Sequence, residues 1–75
     1  MASIEIVAVG TELLLGQLVD TNTPFVAAAM ADAGIDVYGT HTVGDNRERI
    51  AAMLRDALSR ANGVVTTGGL GPTVD

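Results

Sequence analysis

Cysteine and lysine are both absent from these 75 residues, tryptophan is missing too, and Phe, Tyr and His occur once each. Without cysteine, neither a disulfide nor a zinc–thiolate site can hold the fold. Without lysine, the positive side rests on Arg47, Arg49, Arg55 and Arg60 alone, against nine acids, for a net charge of −5. That balance argues against nucleic acid as a partner, because phosphate-backbone binding needs a basic surface. No apolar run approaches the ~18 residues of a membrane span, and no charged leader precedes a hydrophobic stretch. The chain is therefore expected to be soluble and cytoplasmic, with no membrane partner.

What is abundant is small and aliphatic. Hydrophobic residues make up 48% of the chain and only 3% is aromatic, so Ala, Val, Leu and Ile supply the apolar volume. That mixture suits helices packed closely on a sheet and argues against disorder. A chain of this length supports one small domain at most.

Residues 3–9, "SIEIVAV", alternate and are β-branched, with Ile4, Ile6 and Ala8 on one face and Glu5, Val7 and Val9 on the other. Only Glu5 is out of place in a strand covered on both sides. "GTELLLGQLVDTN" follows and is read as a loop or irregular turn. "TPFVAAAMADAG" is then a helix capped by Thr23, with Pro24 in its first turn and Gly34 as its stop. Residues 35–43 form a second strand in which Gly39 marks a bulge or bend. "GDNRERIAAMLRDALSRANG" carries an apolar stripe through Ile50, Met53, Leu54, Ala57, Leu58 and Ala61. Asp45 or Asn46 caps that helix and Gly63 ends it. "VVTT" is a short third strand. Met30, Met53 and the leucines are assigned to the core.

The order β-α-β-α-β with short connections means parallel strands and right-handed crossovers, hence a doubly wound sheet of order 2-1-3 or 1-2-3. In the 2-1-3 order the chain reverses between strands one and three, and ligands bind at that crevice beyond the carboxyl ends of the strands. The segments leaving those strands are "GTELLLG" and "TTGGLGPT", so the glycine-marked stretches come side by side. Three strands make an incomplete sheet, and the 75 residues are read as the N-terminal portion of one larger domain. The unpaired edge of the third strand makes a homo-oligomer the expected state.

Gly68, Gly69 and Gly71 leave no Cβ between backbone amides and a bound oxygen, while Thr66, Thr67 and Thr73 add hydroxyls and Pro72 fixes the exit. The plainer reading is a strand-to-helix turn with glycines for packing. No P-loop is present, since its lysine is missing, and no dinucleotide fingerprint follows the first strand. Glu12, Asp20, Asp45 and Asp75 fall in loops or at helix starts near one edge of the sheet, where hard oxygen ligands suit a divalent ion. Asp45 has a competing reading as a helix cap, and Asp20 with Asn22 as an Asx turn. His41 is read as a surface or edge residue, and the arginines as a solvated helix face with Glu48–Arg55 or Arg49–Asp56 pairs at best.

The stretches "AVGTELLLGQLVDTN", "GIDVYGTHTVGDN" and "TTGGLGPTVD" resemble the start of the competence/damage-inducible protein A (CinA) family, within the molybdopterin-binding, MoaB/Mog-like superfamily. The resemblance runs over all 75 residues, and its most specific part is Gly68–Thr73. It implies a three-layer α/β sandwich with a mainly parallel sheet. It also implies metal-dependent hydrolysis of ADP-ribose or a related nucleotide diphosphate, with Mg, Mn or Co and with potassium as a stimulating ion. Binding and adenylylation of the pterin cofactor, or a regulatory binding role, are the alternatives. In this frame Thr67, Gly68, Gly69, Leu70, Gly71, Pro72, Thr73 and Asn22 would bind substrate, Asp20 and Asp75 the metal, and Glu12 and Asp75 would serve catalysis. The family pattern has Asp where Thr11 stands, and a second acid after Asp75.

Overall fold

A computed structural model describes residues 2–68. Its elements run β1 (Ser3–Val9), α1 (Thr11–Leu14), α2 (Asn22–Asp32), β2 (Asp36–Val43), α3 (Arg47–Arg60) and β3 (Gly63–Gly68). The sheet order is β2-β1-β3, and both pairings are parallel. Of the two orders the connectivity allowed, this is the one that reverses the chain between β1 and β3.

Right-handed crossovers in that order place α2 and α3 on opposite faces of the sheet. Under α3, Val7, Val9 and Val43 form the buried cluster, with Ile50, Met53, Leu54 and Val64 packed against it. On the other face Ile6 and Ala8 have no exposed surface, and α2 contacts all three strands. The central strand β1 is thus covered on both sides, as its β-branched sequence requires.

Three boundaries differ from expectation. The segment after β1 does not stay irregular: Leu14 N–H donates to the Gly10 carbonyl and Leu15 N–H to that of Thr11, closing the single turn α1. Thr, Glu and two leucines suit that turn, but four residues are too few to show a helical period. Gly63 does not end α3, because the helix closes at Arg60 and Gly63 already pairs with Ile4 in the sheet. Thr23 does not cap α2. The Asp20 carboxylate does, accepting from the amides of Asn22 and Thr23 and from the Thr23 hydroxyl. Gly34 does stop α2, in a Schellman arrangement: its φ is +81°, its N–H donates to Ala31 O and that of Ile35 to Met30 O.

The apolar assignments need correction as well. Leu14, Leu15, Leu18 and Leu58 are exposed, so among the described leucines only Leu13 and Leu54 are half-buried. Ala57 is the fully buried member of the α3 stripe.

Candidate functional site

The carboxyl ends of β1 and β3 open into a cleft of about 310 Å³, lined chiefly by Val9, Gly10, Glu12, Asp20, Asn22, Asp45 and Gly68. It sits where the chain reverses between β1 and β3, the place the topology reserves for ligands. Gly68 is irreplaceable there. Its φ is +80°, and a Cβ would lie 2.5 Å from the Val9 carbonyl oxygen. The strand ends can converge on the cleft floor only because that atom is missing.

Each acid in the cleft has its own situation. Asp20 is committed to capping α2: Oδ1 accepts from Asn22 N at 3.1 Å and Thr23 N at 3.0 Å, while Oδ2 takes the Thr23 hydroxyl. These bonds, the Thr23 hydroxyl foremost, pull its carboxyl below the usual aspartate value. The Asx-turn reading of Asp20 with Asn22 is therefore the observed geometry. It also occupies the backbone N–H of Asn22, a residue of the cleft lining.

Asp45 and Asn46 divide what the sequence left open. Asn46 is the cap of α3, its side-chain oxygen accepting from Arg49 N at 3.0 Å. Asp45, one residue earlier, is released from that duty and lines the cleft. It is the acid that sequence reasoning undervalued. The signal was available: two cap-competent residues in succession require only one cap. Glu12 lines the same cleft and accepts no hydrogen bond on its carboxylate among the described residues. Asp75 and Gly69–Thr73 lie outside the described residues, and Thr67, the residue before Gly68 in β3, is half-buried.

A divalent ion was the expected cofactor. Among the described residues no group of three or more His, Asp or Glu side chains is close enough to hold one. The donor set in the cleft is Glu12 and Asp45, with Asp20 already engaged. Two carboxylates suit an ion that fills its shell with water and phosphate oxygens, and do not make an all-protein cage.

A second cavity, also about 310 Å³, lies across the Gly44–Asp45 turn among Leu14, Thr42, Val43, Arg49, Met53 and Asp56.

Away from both cavities, Glu5 is buried at 2% exposure and fully partnered. Arg60 clamps it with Nε on Oε2 at 2.9 Å and Nη2 on Oε1 at 2.8 Å, and His41 Nε2 meets Oε1 at 2.6 Å. The Arg60 bonds first, then that of His41, lower the Glu5 carboxyl from 4.5 to about 2. The bulge at Gly39 makes room, since a Cβ there would stand 3.3 Å from His41 Nε2 and 3.6 Å from Glu5 Cδ. His41 is on the edge strand, as expected, but half-buried and paired. These contacts are the ion pairs of the described residues, and neither Glu48–Arg55 nor Arg49–Asp56 forms.

Comparison with known proteins agrees with this fold. The family model described as a probable molybdopterin binding domain matches residues 5–75. Relatives named as competence-damage inducible proteins are 56% identical in Levilactobacillus brevis and 52% in Clostridioides difficile, each over 71 residues. Those alignments cover 95% of this chain and 17% of each relative, so the chain spans a small part of their length. A crystal structure of the protein CinA from Thermoplasma acidophilum, described as of unknown function, superposes with a TM-score of 0.89 at 35% identity. It matches 95% of this chain and 42% of that one. No helix among the described residues is long and apolar enough to cross a membrane.

Proposed function

The chain belongs to the probable molybdopterin binding domain family, and from that premise we propose that its cleft takes the diphosphate of a nucleotide such as ADP-ribose. In the intact domain, with a divalent cation, that diphosphate is hydrolysed. The observation that carries this reading is the pairing of a glycine-floored cleft at the β1/β3 crossover with two acids, Glu12 and Asp45, that have no capping task. Bare backbone at Gly10 and Gly68 lets phosphate oxygens approach the strand ends. An acidic cleft in a chain of net charge −5 repels a diphosphate unless a cation accompanies it, and in this reading Asp45 would supply that cation a carboxylate. Such a cation supplies charge neutralisation on the diphosphate. Glu12, exposed and without a hydrogen-bond partner among the described residues, is the group to accept a proton from the attacking water. Water adds to one phosphorus, the P–O–P bridge breaks, and AMP and ribose 5-phosphate leave.

Binding of a pterin in the same cleft is the second reading, favoured by the description of the family model. The two separate by experiment. In a protein of the relatives' full length carrying these residues, Glu12→Gln should lower kcat for ADP-ribose roughly 100-fold or more, as loss of a general base does. Asp45→Asn should raise the cation concentration needed for half-maximal rate. Unchanged rates in both variants would remove the chemistry from this cleft. Tight pterin binding without ADP-ribose turnover would put the second reading in its place.

A further inference from the structure

The turn that delivers Asp45 to the cleft is held by a residue that does not line it. β1 and β2 run in register to Val9 and Val43, and the pairing continues one step further through Gly10 N–H on the Val43 carbonyl at 2.9 Å. The next bond of the ladder has no backbone acceptor. The Gly10 carbonyl, to which Asp45 N–H would donate next, has turned into α1, where it takes Leu14 N–H at 3.0 Å. In its place the Thr11 hydroxyl oxygen accepts Asp45 N–H at 3.2 Å. Gly44 lies against the same turn of helix, its absent Cβ 3.3 Å from Leu14 Cδ2 and 3.7 Å from Thr11 Oγ1. On the far side Asn46 is fixed by its N–H on the Gly44 carbonyl at 2.8 Å and by its cap on Arg49.

From this we infer that Thr11 is a positioning residue: its hydroxyl stands in for a strand carbonyl and fixes the Gly44–Asp45 turn so that the Asp45 carboxylate lies in the cleft. The inference rests on the reading of that cleft as the reacting site. A hydroxyl keeps the acceptor the turn needs without adding a third negative charge beside Glu12 and Asp45. Valine matches threonine in shape and lacks the acceptor, whereas serine keeps it, so the two substitutions separate packing from hydrogen bonding.

The test uses the full-length protein with Thr11→Val, Thr11→Ser and Asp45→Asn. Amide hydrogen exchange at Asp45 should speed up in Thr11→Val and stay slow in Thr11→Ser, with protection elsewhere in β1 and β2 unchanged. For ADP-ribose, Thr11→Val should lower kcat roughly 10- to 100-fold with KM little altered, the scale of a small misplacement. Thr11→Ser should recover most of that loss, and Thr11→Val should add nothing in an Asp45→Asn background. An Asp45 amide that remains protected in Thr11→Val overturns the inference. So does an equal loss of rate with and without the Asp45 carboxylate. If the parent protein releases no AMP while the exchange results come out as expected, the hydrolase reading falls and the tether stands.

Discussion

Glu5 looks like an error at the level of single residues, a carboxylate in the most buried strand, and its partners show why it is tolerated. A buried acid persists when charge-assisted hydrogen bonds replace its water, and Arg60 and His41 supply three. Its folded carboxyl lies at about 2, below the ordinary 4.5. A depressed acid stabilises the fold above its unfolded value, and that contribution fades as pH falls from about 4.5 to about 2. Glu5→Gln should therefore be less stable than the parent near neutrality, and the gap in urea midpoint should close across that acid window. A gap independent of pH would show that the carboxylate's charge contributes nothing. Gly68 is the second residue on which much depends. Gly68→Ala combines a φ of +80° with a contact of 2.5 Å to Val9 O, so a loss of about 1–3 kcal/mol is expected from the backbone conformation alone. The same variant should weaken ADP-ribose binding, because relief of the clash separates β1 from β3 at the cleft floor.

The ends of the helices carry identifiable caps. Asn46→Ala should cost about 1 kcal/mol through loss of the α3 cap, measurable as a drop in thermal midpoint. Gly34→Ala should cost a similar amount, about 1–2 kcal/mol, because the site at φ +81° has open space and only the backbone objects. Periods, more than ends, were what the sequence made legible. β1 was readable because β-branched residues alternate over seven positions, and α3 because its stripe repeats over three turns. α1 was not, since a single turn shows no period. The cap of α2 was misplaced because Asp20 reaches over two residues to do what Thr23 was expected to do. Glu5 could not be matched to its partners because they lie 36 and 55 residues away, and nothing local announces such a pairing. The order of elements left both 2-1-3 and 1-2-3 open; the structure has the first, with a cleft at its β1/β3 crossover, and Asp45, given a competing reading as a cap, lines it. A one-residue ambiguity between cap and ligand is resolved only when the helix start is known.

At the scale of the molecule, the described residues form a β2-β1-β3 parallel sheet with a helix on either face and a cleft at the carboxyl ends of β1 and β3. The covered strand β1 sets the frame, α3 and α2 close over it, and the strand ends leave Gly10, Glu12, Asp45 and Gly68 around one cleft. Phe25, Leu18, Val19 and Tyr38 remain exposed on the described residues. The chain spans 17% of the length of the curated relatives it matches. The most direct measurement is a time course of ADP-ribose consumption by the protein at its relatives' full length, with Mg²⁺, Mn²⁺ or Co²⁺ and with a chelator as control. Equimolar AMP and ribose 5-phosphate, formed only when the cation is present, is the predicted result. Intact ADP-ribose after prolonged incubation with folded, cation-loaded protein would contradict it.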